Sequence, residues 1–200
     1  MHHGFVDLAE YIPGVQVDAR YAQNHNLVGE PLDGYRANKA FAAREAADKF
    51  AKAVKVFAEM GYGVLVYDAY RPQKAVDHFV RWAAEPENGR TKAEFYPELE
   101  KEQLFPLGYI AVRSGHTRGA TIDLTLTQNG IPVDMGTDFD WMMERSHHGA
   151  AGVSPEQEKN RALLRGVMTW AGFRPIESEW WHYTLMTEPY PDTYFDFDIE

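Results

Sequence analysis

Two stretches of the chain set histidine, carboxylate and glycine at spacings that suit a divalent metal. Ser114-Gly115-His116-Thr117-Arg118-Gly119-Ala120-Thr121-Ile122-Asp123 carries one histidine and one aspartate, and Glu179-Trp180-Trp181-His182 carries a second histidine with a glutamate three residues ahead. Two neutral imidazoles and one carboxylate form a donor set suited to Zn²⁺. Three protein ligands leave a fourth position for water, as in catalytic rather than structural zinc, and such an ion lowers the pKa of its water to about 7. The expected metal ligands are therefore His116, Asp123 and His182. Glu179 is placed to be a second carboxylate that takes a proton from water and hands it to a leaving group. Ser114, His116 and Asp123 also have the residue types of a serine triad. No G-x-S-x-G elbow accompanies them, and Ser and His two residues apart need an unusual turn to hydrogen-bond productively.

The elements that position these residues follow from spacing. His116 and Asp123 are an odd number of residues apart, so one straight strand would aim them at opposite faces, and Gly119 is where the backbone can turn between them. Thr121 to Thr127 alternates, with Ile122, Leu124 and Leu126 on a face that packs on helices and Asp123 on the polar one. Gly63 to Tyr67, Tyr109 to Val112 and Trp180 to Met186 are further expected strands, with Glu179 just outside the last. Periodicity predicts a long helix over Ala37 to Met60 and a second opening at Pro72. Ser154, Pro155 and Gln157 mark the start of a third, which Gly172 ends. Glu85 to Pro106 is expected to be loop-rich, and Pro191 to Glu200 to be an irregular, exposed aromatic tail able to pack on a partner, which leaves a homo-oligomer open. Helices come first and strands cluster later, the pattern of an α+β fold with a mainly antiparallel sheet in a single domain over residues 1–200.

Composition removes whole classes. There are 20 Lys and Arg against 30 Asp and Glu, a net charge of −10, the wrong sign for nucleic acid or an anionic membrane surface. The absence of cysteine excludes disulfides, thiolate-bound zinc, iron–sulfur clusters and a Cys nucleophile. No basic n-region or apolar h-region follows Met1, and no apolar run approaches the ~20 residues of a membrane span, so a cytoplasmic protein is expected.

Each chemical reading has a plainer competitor. Histidine and aspartate around glycine also occur in surface turns, and Glu-x-x-His beside tryptophan also occurs at strand edges. Together, however, they complete a ligand set plus base. Arg71 in Tyr67-Asp68-Ala69-Tyr70-Arg71-Pro72 suits an ordinary salt bridge, but Pro72 leaves it at a strand-to-helix turn, where cavities are often lined. His2, His3, His25 and His78 are expected to be incidental. The His147-His148 pair is not expected to bind metal, since sequence neighbours rarely converge on one ion.

Ser114 to Asp123 followed by Glu179-Trp180-Trp181-His182 resembles the zinc D,D-peptidases related to lysostaphin and the hedgehog domain. The doubled tryptophan is similar to the VanX-type D-alanyl-D-alanine dipeptidases in particular. Asp18 to Ala22, Tyr67 to Pro72, Trp82 to Ala84, Phe139-Asp140, Glu144 to His148 and Glu188 to Pro191 extend the likeness over nearly the whole chain. The resemblance implies a hedgehog-like α+β fold with helices on one face of the sheet, one zinc per chain, and hydrolysis of a small dipeptide. It further implies that Arg71 stabilises the oxyanion, that Asp140 and Tyr21 hold the substrate's ammonium, and that Ser114 holds its carboxylate. A D,D-carboxypeptidase or endopeptidase acting on peptidoglycan peptides, and a non-catalytic zinc-carrying module, are the competing expectations.

Overall fold

A computed structural model describes residues 2–200. The chain opens with β1 (Phe5–Asp7) and the single-turn helix α1 (Leu8–Tyr11), whose N-cap Asp7 accepts a hydrogen bond from Ala9 N at 3.0 Å. β2 (Val15–Val17) and a 3₁₀ turn at Arg20–Ala22 lead through irregular chain to β3 (Phe41–Ala43), α2 (Arg44–Glu59) and β4 (Gly63–Asp68). Next come α3 (Gln73–Ala84) and two one-turn helices, α4 (Lys92–Phe95) and α5 (Lys101–Leu104). A 3₁₀ turn at His116–Arg118 introduces β5 (Thr121–Gln128), which a short β6 (Ile131–Pro132) pairs. After a long loop, α6 (Pro155–Trp170), β7 (Phe173–Ile176) and β8 (Glu179–Leu185) complete the regular structure.

The main sheet has the order β2-β4-β5-β8-β7, with β6 beside β5. Only the β2–β4 pair is parallel, so the mixed α+β architecture with a mainly antiparallel sheet is as expected. Ile122, Leu124 and Leu126 are fully buried, and Leu124 and Leu126 sit opposite Val66 and Val64 of β4. The long helices α2 and α6 pack on each other, α2 against β4 and α6 against β7 and β8. The third, α3, packs against α5 instead and turns Val76 and Phe79 toward a cavity beside Asp123. The Ser154 cap forms as its sequence implies: Gln157 N donates to Ser154 Oγ at 3.2 Å and Ser154 N to Gln157 Oε1 at 2.8 Å.

Several expected elements come out differently. The Ala37 to Met60 helix begins only at Arg44, because Phe41–Ala43 pair antiparallel with Phe5–Asp7, and Ala43 N reaches Gly119 O at 2.8 Å. Tertiary pairing thus overrides the helical preference of the alanines. Tyr109 to Val112 is not a strand: the amides of Tyr109 and Ile110 both turn back to Leu104 O, at 3.0 and 3.2 Å. Glu179 lies within the last strand rather than outside it. The residues from Pro191 to Glu200 are not a free aromatic tail, since Phe195 and Phe197 pack edge-on against Phe5 and Ile199 is fully buried. Among the described residues, no helix is long and apolar enough to cross a membrane.

Candidate active site

Three strands put the chemistry in one row. Asp123 on β5 pairs with His182 on β8 at one side and with Asp68 on β4 at the other. Each neighbour arrives through an irregularity. On β4 the register slips at Tyr67, so that Val66 faces Leu124 while Asp68 already faces Asp123. On β8 it jumps: Pro175 faces Tyr183, but the next residue, Ile176, faces Glu179. Glu179 and His182, at a spacing that would separate them on a flat strand, are thereby brought within 3.5 Å of each other. His116 enters from the 3₁₀ turn, and Gly119 makes the turn toward β5 at φ +77°. A side chain at Gly119 would strike the Phe5 ring as well as strain the backbone.

The donor atoms converge. His116 Nε2 lies 3.2 Å from Asp123 Oδ2 and 3.3 Å from His182 Nδ1, and His182 Nδ1 lies 3.1 Å from Asp123 Oδ1. The three ligating atoms fall within 4.8 Å of one another. His116 Nδ1 donates to Ala69 O at 2.7 Å, which fixes the ring with Nε2 free as a ligand. Asp123 Oδ1 is buried and accepts no well-aligned hydrogen bond, its near neighbour being the ring nitrogen His182 Nδ1, as suits two atoms that share a cation. Burial would raise the Asp123 carboxyl, but His116 and His182 outweigh it and hold the group well below the usual range. Two imidazoles and one carboxylate fit a divalent ion of the zinc class. The serine triad is excluded by geometry, since Ser114 Oγ accepts from the backbone of His116 at 3.2 Å while both imidazole nitrogens face elsewhere.

Around this cluster lies a cavity of about 180 Å³. Its walls include every residue singled out from the sequence: Tyr21, Arg71, Ser114, His116, Asp123, Asp140, Glu179 and His182. Arg71 donates from Nε and Nη2 to Asp68 Oδ2 at 3.0 and 2.9 Å, and its guanidinium lies over the rings of Tyr21 and Phe79 at 4.7 and 5.3 Å. Burial raises Glu179 to about 7, near the value that suits proton transfer at neutral pH. Tyr21 donates to Asp140 Oδ2 at 2.7 Å, and burial, more than any neighbour, raises Asp140 to about 8. Asp140 also holds φ +62°, a strained value for a non-glycine residue that turns its carboxylate onto Tyr21.

The structure adds Asp68, which the sequence placed in a conspicuous motif but gave no role. Tyr35 donates to its Oδ1 at 2.5 Å, and His116 Nδ1 is 3.4 Å from its Oδ2. Its signal was the acidic residue three positions before Arg71, too common a spacing to single out. The other histidines stay apart. His78 accepts from Asp33 N, His25 pairs with Glu94, His2 stacks on Phe197, and His147 bonds Tyr109 OH at 3.1 Å. His148 is held neutral chiefly by burial, which lowers it to about 4.

A buried His₂Asp cluster beside a carboxylate and an arginine, across the interior strands of a mainly antiparallel sheet, is an arrangement that suits a metallopeptidase. Family comparison agrees: the M15 peptidase model described as D-ala-D-ala dipeptidase matches residues 1–200. A D-alanyl-D-alanine dipeptidase of Enterococcus faecalis is 47% identical over 201 residues, covering 100% of both chains. One of Streptomyces coelicolor is 46% identical over 98% of this chain and 96% of its own, and one of Escherichia coli 35% identical over 90% and 83%. The chain belongs to the D-Ala-D-Ala dipeptidase family of M15 metallopeptidases.

Proposed function

We propose that the protein hydrolyses D-alanyl-D-alanine to two D-alanines in a zinc-dependent reaction. The observation that carries this reading is the single small cavity shared by the metal-ligand cluster, the two candidate catalytic residues and the three candidate substrate contacts. His116 Nε2, His182 Nδ1 and Asp123 would hold the zinc, which supplies a Lewis acid and an acidified water at the scissile carbonyl. Glu179 takes the proton of the attacking water and delivers it to the departing amine, a double role suited to a carboxylate held near 7. Arg71 holds the negative charge that develops on the carbonyl oxygen, and its guanidinium does not titrate in this role. Its Nη1 is left free by the two bonds to Asp68.

Asp140 and Tyr21 bind the ammonium of the substrate and Ser114 its carboxylate. Recognition of both charged termini selects a dipeptide. The competing substrate is a longer peptidoglycan peptide ending in D-Ala-D-Ala. Offering the dipeptide and such a pentapeptide side by side separates the two: cleavage of the dipeptide alone is expected, and efficient cleavage of the pentapeptide contradicts the reading.

A further inference from the structure

The residues after Pro191 touch no part of the cavity, yet they bind the elements that carry its arginine and one of its histidines. Phe197 is bound to Tyr70, the residue before Arg71, three times over. The rings stack at 4.1 Å, Tyr70 OH donates to Phe197 O at 3.0 Å, and Phe197 N donates to Tyr70 OH at 2.9 Å. On the far side of Arg71, Gln73 N donates to Phe195 O at 3.0 Å and Lys74 N to Asp196 Oδ1 at 2.7 Å. Phe195 N in turn reaches the carbonyl of Thr117, next to His116, at 3.0 Å. Ile199 pairs with Tyr35 as an isolated parallel bridge, through Ile199 N to Gly34 O at 2.8 Å and Arg36 N to Ile199 O at 2.9 Å. Tyr35 OH then donates to Asp68 Oδ1, and Asp68 Oδ2 grips Arg71. Asp198 adds ion pairs to Lys74 and Arg36.

We propose that the Tyr194–Glu200 segment is a clamp that sets the position of Arg71, with Phe197 inside it and Tyr35, which pairs with its Ile199, as the positioning residues. Phe197 acts through Tyr70 on the backbone of the turn, and Tyr35 acts through Asp68 on the guanidinium. An arginine has many rotamers, and an oxyanion-binding group is effective only when its donors are aimed before the charge appears. The bonds on both sides of Arg71 supply that aim from outside the cavity. The residues that line the cavity need not change for the arginine to lose its alignment.

The proposal rests on the dipeptidase reading and is tested in the full-length, zinc-loaded protein with Phe197→Ala and the milder Tyr35→Phe. D-Ala-D-Ala turnover, zinc content and amide hydrogen exchange are measured on each. kcat is expected to fall by about 10- to 100-fold while KM changes by less than about threefold, as for a misaligned group that acts on the transition state. Zinc stays at one per chain, and exchange at Tyr70 to Lys74 quickens in Phe197→Ala. In an Arg71→Ala background the same substitutions should add almost nothing, which a general loss of stability would not reproduce. Unchanged kcat in both variants overturns the proposal, and so does a loss that persists undiminished in the Arg71→Ala background. If the wild-type protein leaves the dipeptide intact, the dipeptidase reading fails by itself. Exchange then decides the clamp, with quicker exchange at Tyr70 to Lys74 in Phe197→Ala supporting it and unaltered exchange overturning it.

Discussion

Glu179 and His116 line the same cavity, and the proposed mechanism gives them separable tasks. Replacing Glu179 by Ala would remove the proposed base and leave the three proposed donors intact, so turnover should fall by about 10²- to 10⁴-fold with zinc still bound. His116→Ala removes a donor, and metal analysis should find zinc lost along with activity. Near-normal kcat in Glu179→Ala would show that another group carries the proton. Asp140 gives a pH test. Burial holds it protonated up to about 8, and only its charged form attracts an ammonium, so substrate binding must expel a proton. KM should therefore fall as pH rises from roughly 6 toward 8, until the substrate's own ammonium deprotonates near about 8. Asp140→Asn should raise KM and flatten this limb. A KM profile identical in wild type and variant would remove Asp140 from the ammonium site.

The turns and bulges do more to build the site than the regular elements. The glycine turn after His116 was legible because an odd spacing on one strand had no other solution, and Gly119 supplies it at φ +77°. Gly119→Ala should destabilise the protein by about 1–3 kcal/mol through strain alone, and contact with Phe5 adds to that. A denaturant midpoint equal to wild type would show that the turn tolerates a side chain. The two register irregularities were not legible, since a slip at Tyr67 and a jump at Pro175 depend on partner strands that sequence spacing does not reveal. That is why spacing alone gives Asp68 no role and sets Glu179 outside its strand. The loop bearing Asp140 has its own anchor. Buried Arg161 on α6 donates to the carbonyls of Met135, Arg145 and His147 at 2.6, 2.9 and 3.0 Å. Arg161→Met should cost about 2–4 kcal/mol and raise KM more than it lowers kcat. Equal losses in both would place its effect outside substrate binding.

Across the whole molecule, local pattern picked out residues that share one cavity, and long-range pairing decided the architecture around it. The eight residues read from motif and resemblance all reach one cavity. The Ser154 cap, the α6 boundaries and the buried face of β5 also followed from local rules. What did not follow were features whose partners lie far along the chain. β3 displaces a helix because β1 is there to pair with it, and Ile199 is buried because Tyr35 receives it. The aromatic tail forms an internal strap for the same reason, its half-buried rings packing on Phe5 and Tyr70. The net charge of −10 need not oppose an anionic carboxylate at the site, because Arg71 and a divalent ion on the proposed ligands would supply local positive charge. D-alanine release tests the proposed metal-dependent, stereospecific dipeptidase activity most directly. D-Ala-D-Ala and L-Ala-L-Ala are offered to the protein as isolated, after chelation, and after zinc is restored. Release from the D,D dipeptide alone, abolished by chelator and recovered with zinc, is the predicted result; release that survives complete removal of the metal, or none from the D,D dipeptide with one zinc bound per chain, would contradict it.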